Sequence, residues 1–99
     1  MKWLEIIQLR TTERSMTKLK SQLEALINEV EEETKKQAIK AYSHIAIDTD
    51  FSVHLFHDSK KAEVNGSQLG LYLASALKEF GLVNHSIWIE MNKTGKEEN

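Results

Sequence analysis

The chain has 99 residues, 40% hydrophobic and 28% charged, an ordinary composition for one globular domain with a real core and a large share of surface. A net charge of −2 speaks against binding through broad phosphate neutralisation, and the lack of cysteine removes disulfides, thiolate catalysis and thiolate metal sites. No apolar run approaches the roughly 18 residues of a membrane span and no leader pattern opens the chain, so a cytoplasmic protein with neither a membrane nor a nucleic-acid partner is expected.

The first predicted element is a strand from Trp3 to Arg10. Trp3, Glu5, Ile7 and Leu9 share one face and Leu4, Ile6, Gln8 and Arg10 the other; apolar residues on both sides fit a central strand. Thr11 or Thr12 is placed to cap the helix that follows, from about Glu13 into the low thirties. Its Met16, Leu19, Leu23, Leu26, Ile27 and Val30 recur at three- and four-residue spacing. Near its end Glu31–Lys35 and Glu32–Lys36 have the spacing of helical ion pairs.

Ala41–His57 gives the strongest strand signal and reads as a hairpin. A three-residue turn, Asp48-Thr49-Asp50, unites Ile45, Ile47, Phe51, Val53 and Leu55 on one face. That register sets His44 opposite His54 and Tyr42 opposite Phe56, with paired Cβ atoms about 4.5–5.5 Å apart.

His57 to Gly66 is polar and reads as a surface loop. Its His57-Asp58-Ser59 contains the residue types of a hydrolytic triad, but triads are assembled from separate elements rather than sequence neighbours. Ser67 caps a second helix, Gln68 to Phe80, whose buried stripe is Leu69, Leu73, Ala76, Leu77 and Phe80; Leu71 and Tyr72 widen it. Gly81 stands where a left-handed residue ends a helix. A last strand, Leu82 to Met91, points Ile87 and Ile89 one way and Ser86, Trp88 and Glu90 the other. His85 reads as a partly buried edge residue, and residues 92–99 as a polar tail.

Strand, helix, strand, strand, helix, strand predicts an α+β, ferredoxin-like βαββαβ domain over residues 1–99, with its body at 3–91. Its antiparallel sheet has the order 4-1-3-2 and both helices on one face. The open face would then carry Tyr42, His44, Ala46, Ser52, His54, Phe56, Ser86, Trp88 and Glu90, a large apolar patch for a lone subunit. Face-to-face pairing of two sheets covers it and predicts a homodimer.

In element order and face chemistry, over Trp3–Met91, the chain resembles the dimeric α+β-barrel superfamily. Members include small oxygenases, isomerases and haem-handling enzymes, so the resemblance implies a small-molecule site. None of their active-site signatures occurs here and no catalytic residue carries over. Amino-acid-binding regulatory domains share the strand order but use a glycine-bearing loop where this chain has Leu9-Arg10-Thr11-Thr12-Glu13. FSVHLF at Phe51–Phe56 resembles the aromatic strand of RNA-recognition domains, yet Asp48-Thr49-Asp50 replaces their basic and glycine residues.

The candidate pocket or interface residues are therefore Tyr42, His44, His54, Phe56, Trp88 and Glu90. His44 and His54 are a weak metal pair, since imidazole suits zinc, copper, iron and nickel but a site needs three or four protein ligands. No resident metal or cofactor is expected. The favoured reading makes both histidines polar residues of a dimer interface; two close imidazoles would also make pairing sensitive to acid. Trp88 and Tyr42 read as packing anchors before they read as a stacking platform. No segment names a reaction. The expected function is a homodimeric ligand-binding or interaction domain, the alternative a cofactor-free or haem-type enzyme of the monooxygenase or isomerase kind.

Overall fold

A computed structural model describes residues 1–34 and 38–91. The ion pairs expected at Lys35 and Lys36 and the tail at 92–99 lie outside the described residues. Strand β1 is Lys2–Arg10, and a short 3-10 turn at Glu13–Ser15 leads into helix α1, Met16–Thr34. Strands β2, Ile39–Ser43, and β3, Asp50–Asp58, follow, then helix α2, Gln68–Leu77, a 3-10 turn at Lys78–Phe80, and β4, Leu82–Ile89. The antiparallel sheet has the order β2-β3-β1-β4, the ferredoxin-like βαββαβ arrangement expected, with β1 in the interior.

Alternation dictates the core. The odd residues Ile7, Leu9, Ile39, Phe51, Val53 and Leu55 meet Leu19, Leu23 and Val30 of α1, Leu73, Ala74 and Leu77 of α2, and Phe80. Each large aliphatic among them stabilises the fold by about 1.5–3 kcal/mol on burial. Leu71 and Tyr72 do not widen this face; they stay half in solvent, while Gly70 and Ala74 are buried instead.

The hairpin corrects the predicted register. Tyr42 pairs with Ser52 and Lys40 with His54, a slip of four residues between the strands, and the connection spans residues 44–49. Both registers keep every side chain on its face, so alternation cannot choose between them. The choice falls to Ile39, which pairs with Leu55 and lies 1% exposed in the core, where the three-residue turn would have set it against Ser59. Ile45 and Ile47 are consequently exposed, not core residues. The loop is closed by His44, whose Nδ1 accepts from the Ala46 and Ile47 N–H groups at 3.0 and 3.1 Å.

Three local expectations also change. Neither threonine caps α1 through its side chain: Thr12 makes no such bond, and buried Thr11 donates its hydroxyl to the Phe80 carbonyl at 2.6 Å. Gly81 is not left-handed helical but sits at φ 159°, ψ −154°, a conformation that residues with a side chain rarely adopt, and a Cβ there would also overlap the Arg10 carbonyl. In β4, Ile87 is half-buried and Ile89 exposed, so neither joins the core.

Candidate functional site

A carboxylate lies in the apolar phase of the interior strand. Glu5 shares its face with Trp3, Ile7 and Leu9 and is 0% exposed. Its direct partners are Leu55 on β3 and Ile87 on β4. Two positions further along those strands stand His57 and His85, diagonal to Glu5 and within reach of its side chain.

Both imidazoles converge on it. His57 Nε2 is 2.6 Å from Oε2 and His85 Nε2 is 2.8 Å from Oε1. Ser67 completes the shell, its backbone N–H donating to Oε1 at 3.1 Å and its hydroxyl to Oε2 at 2.5 Å. The same hydroxyl accepts from the Gly70 N–H at 3.0 Å, so the residue that caps α2 also holds the carboxylate at that helix's positive end. Four bonds fill the four acceptor positions of a carboxylate.

Burial alone would raise the Glu5 pKa. The hydrogen bonds from the Ser67 hydroxyl, His85, His57 and the Ser67 N–H outweigh it and leave the group below its ordinary value. An ionised carboxylate only accepts, so each neutral imidazole must place its proton on Nε2 and keep a lone pair on Nδ1. No described residue bonds to Nδ1 of His57 or His85. Since no buried side-chain nitrogen or oxygen lacks a partner, these atoms reach solvent.

The backbone makes room for this arrangement. A Cβ on Gly70 would overlap Glu5 Oε1, and one on Gly66 would lie 2.5 Å from His85 Cε1. Gly66 is also left-handed, at φ 98°. Asn65-Gly66-Ser67-Gln68-Leu69-Gly70 therefore brings the start of α2 against the carboxylate.

On the other side Trp3 stacks on His57, ring centroids 4.0 Å apart. Its Nε1–H donates to Ser59 Oγ at 2.8 Å. His57 belongs to β3 and not to a surface loop. The residues of the triad-like run go three ways: His57 to Glu5, Ser59 to Trp3, and Asp58 towards the N-terminal amine at 3.5 Å.

An open groove of about 690 Å³ runs along this end of the sheet, bordered by Trp3, Leu4, Phe56, His57, Trp88 and Glu90. Three of the sequence-derived candidates, Phe56, Trp88 and Glu90, thus meet at one groove on the open face, whereas the His57 ring lies on the helix side of the sheet with Trp3 and Glu5. His44 lines a separate hollow of about 340 Å³ beside Arg10 and Asp50. Tyr42 and His54 border neither; their rings pack 4.6 Å apart on the open face, and burial pushes His54 below the usual histidine value.

The cross-strand pair of His44 and His54 does not form, because the ladder sets His54 against Lys40. The metal pair and the acid-sensitive imidazole pair lose their geometric premise with it. Among the described residues no group of three or more histidine, aspartate or glutamate side chains is placed to hold a metal ion.

Sequence reasoning missed Glu5, His57, Ser67 and His85 as a unit. The available signal was Glu5 itself, a charge in phase with Trp3, Ile7 and Leu9, which burial obliges to find partners. No protein family, curated protein or solved structure matches the chain.

Proposed function

We propose that the protein is a homodimeric domain of the ligand-binding or interaction class, its subunits pairing through the open sheet face in the manner of the dimeric α+β barrels. One observation carries this reading. With both helices on the opposite side, Tyr42, Phe56 and Trp88 are 45, 43 and 57% exposed around half-buried Leu4, Ile6 and His54. A second copy supplies a self-complementary cover and closes the assembly.

Sedimentation velocity tests it. The wild-type chain should sediment at twice the chain mass at micromolar concentration, and Trp88→Glu, which sets a charge on that face, should sediment as a folded monomer. A wild-type monomer under the same conditions would overturn the reading.

A cofactor-free enzyme is the second reading, favoured by the ionised, buried carboxylate that holds an imidazole with its other nitrogen open to solvent. That is the arrangement of a histidine general base.

A further inference from the structure

We propose that the hollow at the Arg10 end of the open face binds a small organic carboxylate, held by the guanidinium that Asp50 fixes in place. The hollow is formed within one chain, so the inference goes beyond subunit pairing and does not rest on it.

The site lies on the face opposite the helices. Gln8 and Arg10 of β1, Asp50 and Ser52 of β3, and Leu82 and Asn84 of β4 stand there in register, out of phase with buried Ile7, Leu9 and Phe51. His44 borders the hollow where β2 gives way to its loop, and the volume is about 340 Å³. Arg10 is six residues along β1 from Leu4, about 20 Å from the groove beside Trp88.

A guanidinium has two edges that can take a carboxylate. Asp50 occupies one: Arg10 Nε is 3.2 Å from Oδ1 and Nη2 is 3.4 Å from Oδ2. The other edge, Nη1 with the second N–H of Nη2, has no partner among the described residues. The Asp50 side chain is 20% exposed against 69% for Arg10, so the acid is the anchor and the base extends from it.

The neighbouring groups are donors as well. His44 Nδ1 accepts from two backbone N–H groups, which puts the proton of the neutral ring on Nε2. Gln8 Oε1 accepts from the Asn84 amide at 3.2 Å, and the Gln8 NH₂ has no partner among the described residues. Asp50 is the one carboxylate among the described residues of the lining, and Arg10 already holds it.

Charge and shape narrow the class. Arg10 and Asp50 together are neutral, so a phosphate dianion would set two charges beside Asp50 where a carboxylate sets one. A flat carboxylate also matches the open edge with two parallel bonds. Exposed Leu82 offers a surface to a short apolar body, and the volume is at the lower end of the small-molecule range.

Benzoate is the probe, titrated at neutral pH into nitrogen-15-labelled protein and followed by proton–nitrogen correlation spectra. Benzamide, its neutral counterpart, and inorganic phosphate are titrated at the same ionic strength. The wild type should show saturable benzoate shifts at Gln8, Arg10 and Asn84, with both controls at least tenfold weaker. Arg10→Lys keeps the charge and a partner for Asp50 but has no second edge, and its benzoate affinity should fall at least tenfold. Arg10→Met should lose as much; circular dichroism checks that each exposed substitution leaves the fold intact, and either variant decides.

No saturable benzoate shifts, benzamide or phosphate binding as tightly, or variants that bind like the wild type would overturn the proposal. Benzoate binding by a chain that sediments as a monomer would leave this inference standing and the pairing overturned; a dimer without binding would do the reverse.

Discussion

Trp3 and His57 are direct cross-strand partners on β1 and β3, and their rings stack with planes 18° from parallel. The strand register itself sets the contact, so it is as rigid as the ladder beneath it. Trp3→Phe keeps the ring and loses the bond to Ser59, at an expected cost of about 0.5–1.5 kcal/mol. Trp3→Ala removes the ring too and should cost about 3–5 kcal/mol. Urea unfolding at one fixed protein concentration separates the two; equal costs would show that the stack contributes nothing.

Glu5 predicts an acid limit. Its folded pKa lies below the ordinary value, so its contribution is fully present above the unfolded carboxyl pKa of about 4.3 and is lost as pH falls through the lower folded value. Stability measured by urea unfolding from neutral pH downward should fall through that window. Glu5→Gln should be less stable at neutral pH and show a shallower loss. Parallel profiles for the two proteins would assign the acid limit to other groups.

Gly70 tests how closely α2 approaches the carboxylate. In a free helix alanine is better than glycine by about 1 kcal/mol. Here the added methyl overlaps Glu5 Oε1, so Gly70→Ala should instead destabilise by about 1–3 kcal/mol. In the double variant Glu5→Ala/Gly70→Ala the clash is removed, and the second substitution should become neutral or favourable. A stabilising Gly70→Ala on its own would mean that the helix start stands further off.

The hairpin offers a contrast between two β-branched residues. Ile45 is 99% exposed in the loop, so Ile45→Ser should change stability by less than about 0.5 kcal/mol. Val53, 1% exposed and packed in the core, should cost about 1–3 kcal/mol as Val53→Ala. Similar losses at both positions would restore the shorter turn.

The element order, the strand faces and the helical stripe of α1 were legible because each follows a local period. The hairpin register was not, since a four-residue slip between the strands leaves every face unchanged and only the position of Ile39 under α1 separates the alternatives. His57 was hidden by its polar neighbours: it reads as loop until β1 pairs Lys2 with Asp58 and Trp3 with His57. The carboxylate cluster joins residues 52, 62 and 80 positions apart, so no local pattern contains it. The misplaced charge of Glu5 was visible, but its partners belong to the fold.

The interior strand is also made before both strands that flank it. During synthesis β1 leaves the ribosome with Trp3 and Glu5 exposed, and neither neighbour exists until residues 50–58 and then 82–89 have followed. The hairpin of β2 and β3 closes early and cheaply; β1 must be retained until the last strand arrives and His85 completes the shell. A chain halted after α2 would hold one imidazole, an unpaired edge on its interior strand and a half-satisfied buried charge. Productive folding is thus tied to the synthesis of β4.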